Sequence, residues 1–389
     1  VTLLPANEFE LPDVSSVRMH QDESGSLIVD TDAAQETARI AFVKEGGVWI
    51  RTSIAAAATA PSSALSVRVV EATNDPPKLV ASTAGRSRTL LDPNAYLQAF
   101  GLPQWRTLDW RDEDGRNWRC GLLTPESARR RRLPLIIQTH GYSSSRYLID
   151  GPFSTAFAAQ NLAAHGFAVV QLADVRTPPE QEAQIYLAAY EHLIDELHGT
   201  GVIDHDLVGL VGFSRTCFHV AHAMVFSRFP IRAVVASDGV DMGYSQYLAW
   251  LRGMSPAWPQ SFEQIYGGAP FFETDGATNA RAWVDEAPHF HLSRTHAALR
   301  VEVTEQDQAM LGWELFAGMR RLGLPAEYVI YNHGDHELSR PRQRRASLQG
   351  TVDWMRFWLK GEADNDPTKA GQYERWRAMR AERSDVTAQ

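Results

Sequence analysis

Ser214 lies in the stretch Gly212-Phe213-Ser214-Arg215-Thr216, where an apolar run typical of a strand changes into a helical pattern. A serine on such a sharp strand-to-helix turn exposes its hydroxyl, and the N–H groups of the next turn face the same space. This arrangement suits a nucleophile. Thr216 stands where the G-x-S-x-G form of the turn has its second glycine. The pentapeptide alone therefore leaves two interpretations open, a nucleophile or a serine that caps a helix.

A serine nucleophile needs a base, and the base needs an acid that orients it. In α/β hydrolases these residues follow the serine in the order acid, then histidine. His336 follows the last predicted strand and leads into the last predicted helix, so we favour it over His333. Glu305 and Asp307 end the preceding predicted strand, and each could reach the histidine loop. We favour a functional acid here over two solvated carboxylates.

The negative charge that develops on a substrate oxygen needs hydrogen-bond donors. The backbone N–H of Arg215, directly after the serine, is one candidate. Tyr142, in the loop "THGYSSSRY" after an earlier strand, is the other, through its N–H or its hydroxyl. His140 in the same loop is a weaker candidate, and a purely structural role for Tyr142 stays open.

The elements that must position these residues follow from the hydrophobic pattern. From about residue 105, apolar strand runs alternate with helical stretches, which predicts a mostly parallel sheet with helices on both faces. Residues 1–100 contain short strand-like runs broken by turn residues and predict an all-β segment. We therefore predict three parts: the all-β segment, an α/β-hydrolase domain over 101–365 and a helical tail over 366–389.

A long irregular region runs from Gly239 to His296 and is rich in aromatic residues, glycine and proline. Such an insertion over a hydrolase sheet can form a wall of the substrate pocket. Tyr244, Tyr247 and Trp250 are the candidate pocket residues. The alternative, which we weigh equally, is that these aromatic side chains pack the insertion's own core.

Composition excludes several other classes of protein. The formal net charge of −9 argues against a nucleic-acid partner, because phosphate binding favours a basic surface. No apolar run is long enough to span a membrane. Cys120 and Cys217 form no disulfide framework, and His289 and His291 lack matching ligands for a metal. We therefore predict no cofactor and no metal site.

Longer stretches resemble a known family. The order of the HG-containing loop, the serine turn and "GLPAEYVIYNHGDHE" is similar to prolyl oligopeptidase-family serine peptidases, and "EATNDPPKLVAS" is similar to the end of their β-propeller. More narrowly, "GFSRTCFHV", "THGYSSSRYLIDGPFSTAFAAQNLAAHGFAVVQ" and "HELSRPRQRRASLQGTVDWMRFWLKGE" resemble the lasso peptide isopeptidases of proteobacteria.

The resemblance implies a substrate and a mechanism. Such enzymes hydrolyse the isopeptide bond that closes the ring of a lasso peptide, and they hold the substrate between a propeller and a hydrolase domain. Carried over by position, Ser214 is the nucleophile and His336 the base. Because this group uses glutamate as the acid, the resemblance favours Glu305 over Asp307. Two alternatives remain, an oligopeptidase or aminopeptidase of the same family, and a non-catalytic binding module on the same fold.

The resemblance also implies a longer protein. A complete propeller needs several blades, and the first hundred residues hold about two. The remaining blades are expected either in a separate or cleaved segment or in an N-terminal part of a longer chain. The chain begins with Val1, so its localisation cannot be read from this end, and the bacterial cytoplasm and periplasm are both open.

Overall fold

The structure, a computed structural model, divides the chain into two compact units, which are described separately. One comprises Val1–Glu71 with Pro77–Ala95, and the other comprises Ala72–Pro76 with Tyr96–Gln389. The structure describes residues 14–21, 27–33, 37–45, 48–52, 65–83, 85–125, 132–251, 257–270, 276–304 and 310–387.

The described residues of the first unit form two small sheets. The four-stranded antiparallel sheet follows chain order, with β1 (Val14–Gln21), β2 (Leu27–Ala33), β3 (Thr37–Glu45) and β4 (Val48–Thr52). A three-stranded sheet contains β5 (Ser66–Ala72), β6 (Asp75–Thr83) and β7 (Arg86–Leu91). Strands therefore dominate the described residues of this unit, as the sequence pattern predicts.

The second unit is built on an eight-stranded sheet with the order β15-β14-β13-β12-β10-β11-β9-β8. Its strands are β8 (Trp105–Arg111), β9 (Asn117–Leu123), β10 (Leu133–Gln138), β11 (Ala168–Leu172), β12 (Ile203–Phe213), β13 (Ile231–Ser237), β14 (Ala298–Val303) and β15 (Ala326–Ile330). β10 to β15 pair in parallel, whereas the β8–β9 hairpin joins the sheet antiparallel to β11. Every residue of β10 and β14 is buried, as expected for strands covered on both faces.

Helices cover both faces of this sheet. Side chains from α2 (Glu182–Gly199), α3 (Thr216–Phe226) and α7 (Trp313–Arg321) share one buried cluster with the strands. The other face packs against α1 (Ala159–Ala164), α8 (Pro341–Met355) and α9 (Ala370–Thr387), the last of which contributes Tyr373 and Trp376. This arrangement confirms the predicted α/β class with a mostly parallel sheet.

The insertion after β13 is helical in its described part, whereas the sequence pattern predicted an irregular region. It contains α4 (Tyr244–Trp250), α5 (Ala257–Tyr266), α6 (Gly276–Glu286) and a 3₁₀ helix over Pro288–Arg294. A separate apolar cluster joins α4, α5 and α6 through aromatic side chains. These helices are short, so their stability depends on this packing more than on local propensity.

Candidate active site

Ser214 occupies a tight turn between β12 and α3. Its backbone is left-handed, with φ of 52°, and its N–H donates to Ser237 O at 3.1 Å. Such a conformation costs a non-glycine residue about 1–3 kcal/mol and persists only where the surrounding structure holds it. A Cβ at Gly212 would lie 2.7 Å from Val220 Cγ2, so a glycine there lets α3 pack directly against β12. The turn therefore has the geometry of a nucleophile elbow.

Thr216 fills the position of the missing second glycine with a hydrogen-bonded hydroxyl. Its Oγ1 accepts from Phe213 N at 3.1 Å and from Thr139 Oγ1 at 2.6 Å. The close approach that requires a glycine is instead at Gly239, where a Cβ would lie 2.7 Å from Ser214 O and 2.0 Å from Cys217 Sγ. The departure from the G-x-S-x-G form is thus accommodated by a buried threonine and by a glycine on the neighbouring loop.

His336 lies beside the serine hydroxyl, with 3.0 Å between Nε2 and Ser214 Oγ. Its ring stacks on Phe213, with centroids 4.7 Å apart and an interplanar angle of 28°. The loop that carries it is fixed by Gly334, whose N–H donates to Thr304 O at 2.8 Å. His333, the competing candidate, is an exposed residue at a left-handed turn position. The structure therefore brings together the serine and the histidine that the sequence favoured.

The carboxylate at the other side of this imidazole is that of Asp238, with 2.6 Å between Oδ2 and His336 Nδ1. Its side chain is 0% exposed, whereas that of His336 is 50% exposed. Asp238 Oδ1 accepts from Thr304 N at 2.9 Å, and Asp238 N donates to Glu302 O at 2.7 Å. The aspartate is therefore held rigidly against β14.

Sequence reasoning missed Asp238 and considered only Glu305 and Asp307, both of which lie outside the described residues. The missed signal was available, because Asp238 directly follows the buried strand β13 and precedes His336 in the order serine, acid, histidine.

Tyr142 lies in the loop after β10, and its hydroxyl faces β8. The hydroxyl is 2.8 Å from Thr107 Oγ1, and the ring packs at a tilt against Trp105 with centroids 6.3 Å apart. The backbone N–H of Tyr142 is therefore the better candidate for an oxyanion donor. His140, in the same loop, has its Nδ1 3.3 Å from Asp174 Oδ2.

The side chain of Arg215 turns away from the serine and forms an ion pair with Glu182. Arg215 Nε and Nη2 donate to the two carboxylate oxygens at 3.0 and 2.5 Å. Burial alone would raise the pKa of Glu182, but hydrogen bonds from His219 and Arg215 lower it to about 2. The carboxylate is thus ionised at neutral pH, and only the backbone of Arg215 is available as an oxyanion donor.

The three candidate pocket residues lie on α4. Tyr247 is 1% exposed, and its hydroxyl donates to Glu263 Oε1 at 2.8 Å. Trp250 is half-buried and packs edge-on against Trp258, with centroids 5.1 Å apart. Tyr244 is half-buried and contacts Trp283 edge-on at 6.1 Å. Tyr247 therefore contributes to the insertion's own core, which was the alternative interpretation.

The histidine pair of the insertion has structural contacts. His289 is buried, with Nε2 3.4 Å from Asp241 Oδ2. Burial alone would lower the pKa of His289, but the Asp241 carboxylate raises it above its usual value. His291 Nε2 lies 2.9 Å from Asp285 O. Within the part of the chain that the structure describes, no group of three His, Cys, Asp or Glu residues is placed to hold a metal ion.

The cysteines and the helices of the described residues bear on two further expectations. Cys120 and Cys217 are both buried and free. Among the described helices, none combines the length and apolar character that crossing a membrane requires.

Comparison with known proteins shows which family the chain resembles in sequence and in fold. No family model matches the chain. The chain is 31% identical over 320 residues to the lasso peptide isopeptidase AtxE2 of Asticcacaulis excentricus, an alignment that covers 77% of this chain and 44% of that protein. A solved structure of a serine-to-alanine variant of AtxE2 with Astexin3-dC4 bound has a TM-score of 0.71 at 25% identity and covers 95% of this chain and 59% of its own.

The fold alone extends to more distant peptidases. Pyrococcus horikoshii acylaminoacyl peptidase has a TM-score of 0.65 at 14% identity, covering 92% of this chain and 57% of its own. The chain spans about half the length of the relatives it matches. It is thus a relative of lasso peptide isopeptidase within the prolyl oligopeptidase family of serine hydrolases.

Proposed function

We propose that this chain carries the hydrolase unit of an isopeptidase that opens the ring of a lasso peptide and releases the linear peptide. The proposal rests on the serine–histidine pair at the elbow, with 3.0 Å between Ser214 Oγ and His336 Nε2, in a chain that is 31% identical to a lasso peptide isopeptidase. The substrate bond is an amide between the N-terminal amine of the peptide and an Asp or Glu side chain.

The proposed reaction begins with acyl transfer to Ser214. Its Oγ attacks the isopeptide carbonyl while His336 Nε2 accepts the hydroxyl proton. The buried Asp238 carboxylate holds the imidazole through Nδ1 and stabilises the imidazolium that forms. Asp238 thus takes the role that the sequence assigned to Glu305, which remains the alternative acid.

The remaining steps follow from the same groups. The N–H groups of Arg215 and Tyr142 stabilise the negative charge on the carbonyl oxygen. The released N-terminal amine takes the proton from His336. Water, deprotonated by His336, then attacks the ester and returns the free side-chain carboxylate and the Ser214 hydroxyl. The net change is the addition of one water to the peptide.

The test is incubation of the full-length protein with a threaded lasso peptide and, separately, with its linear counterpart, followed by mass spectrometry. We expect the lasso to gain the mass of one water while the linear peptide stays intact. Ser214→Ala is the control and should leave the lasso unchanged. Internal cleavage of the linear peptide with an intact lasso would instead favour the oligopeptidase alternative. Failure of a fluorophosphonate probe to label the native protein would favour a non-catalytic binding module.

A further inference from the structure

The side chain of Arg215 connects the nucleophile elbow to two helices outside it. Its guanidinium pairs with Glu182 on α2 through two hydrogen bonds, at 3.0 and 2.5 Å. A third hydrogen bond runs from Arg215 Nη1 to Ser261 Oγ on α5, at 2.9 Å. One side chain therefore links the residue after the nucleophile to α2 and to the insertion.

The acceptor of this ion pair is itself held rigidly. The side chain of Glu182 is 12% exposed, and its Oε1 also lies 2.6 Å from Nε2 of the buried His219. The ring of His219 stacks on Tyr186, with centroids 4.0 Å apart. A bidentate arginine–carboxylate pair adds geometric constraint as well as energy. The guanidinium is consequently held by three hydrogen bonds to two partners, Glu182 and Ser261.

The anchoring of the Arg215 side chain affects the proposed chemistry because the backbone N–H of Arg215 takes part in it. The N–H of Arg215 is one of the two proposed oxyanion donors, and its position follows that of the Arg215 Cα. A misplacement of catalytic groups by about 1 Å can cost about 10²-fold in rate. Ser214 itself holds a strained left-handed backbone that the surroundings must maintain.

We propose that Arg215 is a positioning residue. Its side chain, anchored by Glu182 and Ser261, fixes the position of the Arg215 backbone N–H and couples the elbow to insertion helix α5. This inference rests on the proposed serine-hydrolase function. The packing of the insertion thereby influences turnover at Ser214, and the contribution of Ser261 to catalysis is indirect. The interaction acts on kcat rather than on substrate affinity.

The test compares variants of the full-length protein in turnover of the lasso peptide and in the rate of labelling by a fluorophosphonate probe. Ser261→Ala should lower both kcat and the labelling rate by about tenfold, the loss of one hydrogen bond from a charged donor, with KM unchanged. Ser261→Thr keeps the hydroxyl and should restore both. Glu182→Gln should lower kcat by about 10²-fold. Gln264→Ala, an exposed position on the same helix, is the matched control and should match the native protein.

The outcomes separate the inference from the function on which it rests. If the probe does not label the native protein, the serine-hydrolase proposal fails. If it labels the native protein and Ser261→Ala at the same rate, with equal kcat, the coupling is overturned and Arg215 is only structural. If Glu182→Gln does not fold, as judged by circular dichroism, the comparison of Ser261→Ala with Ser261→Thr is sufficient to test the inference. A rise in KM with unchanged kcat in Ser261→Ala would likewise contradict the inference.

Discussion

At the scale of single residues, chain order alone does not determine which acidic residue orients His336. β13 and β14 are parallel neighbours, with Ser237 paired to Glu302, so their carboxyl ends lie side by side. An acid after either strand can therefore reach the loop that carries His336. The serine and histidine positions followed from the strand-to-helix turn and the last loop. Chain order admits either acid, whereas the contact between Asp238 and His336 is a matter of side-chain packing, which periodicity does not contain.

The first prediction separates the two acids. Asp238→Asn keeps an oxygen for the Thr304 N–H but removes the negative charge beside Nδ1. We expect kcat to fall by about 10²- to 10⁴-fold, as when a triad acid is lost. Glu305→Gln should change kcat far less. Steady-state kinetics on the lasso peptide measures both, and a larger loss for Glu305→Gln would return the role to the acid that the sequence favoured.

The second prediction concerns the pH dependence of Glu182. Its folded pKa of about 2 lies below the ordinary 4.5, so its ionised form stabilises the folded state. The stabilisation is fully present above pH 4.5 and is lost as the pH falls toward 2. Glu182→Gln should therefore lower the free energy of unfolding by about 3 kcal/mol at neutral pH. Urea denaturation at several pH values checks this, and a difference that persists undiminished at pH 3 would contradict it.

At the scale of elements, the strands and helices of the second unit were predictable, whereas the insertion was not. Buried strands such as β10 and β14 are continuous apolar runs, which are easily recognised. α4 has only seven residues, and its surroundings are rich in Gly and Pro. A helix of that length forms because tertiary contacts stabilise it, and the local sequence carries little of that information.

The elbow gives a third prediction, at Thr216. Thr216→Val keeps the shape of the side chain but removes the hydroxyl that accepts from Phe213 N and Thr139 Oγ1. A buried donor left unpaired costs about 1–3 kcal/mol, so the variant should be destabilised by that amount. Thr216→Ser retains the hydroxyl and should lose much less. Thermal or urea unfolding measures the stability of the two variants. Equal stability would show that the hydroxyl does not hold the turn.

A fourth prediction tests the role of Tyr247. Because this side chain is buried among Phe262 and Trp283, Tyr247→Ala should cost about 3–5 kcal/mol, as large aromatic truncations in a core do. Tyr247→Phe removes the hydrogen bond to the Glu263 carboxylate and should cost about 1.5–3 kcal/mol. Unfolding measurements and KM should be compared in both variants. A folded, stable Tyr247→Ala with a raised KM would instead place Tyr247 in the substrate wall.

At the scale of the whole molecule, the fold class followed from the sequence because strands and helices alternate regularly from about residue 105. The recognition of the family followed from long stretches around the serine turn and the histidine loop, and the comparisons confirm it. This chain spans about half the length of its relatives.

The last prediction concerns which property of the substrate the proposed isopeptidase recognises. An isopeptide amide is about as resistant to hydrolysis as a backbone amide, so the serine, histidine and oxyanion donors give no preference between them. The distinguishing property of the substrate is its shape. A ring threaded by its own tail is already ordered, whereas an unthreaded branched-cyclic peptide of the same sequence loses conformational entropy on binding.

We therefore expect kcat/KM to be higher for the threaded lasso by about tenfold or more, which corresponds to the ordering of one or two side chains. The two peptides should be compared by mass spectrometry under identical conditions, with Ser214→Ala as the control for non-enzymatic hydrolysis. Because the isopeptide bond and its neighbouring residues are the same in both, a difference in kcat/KM reports how the rest of the peptide is ordered when it binds. Equal kcat/KM values would show that the enzyme recognises only the residues around the isopeptide bond. Selectivity would then depend on the immediate surroundings of Ser214.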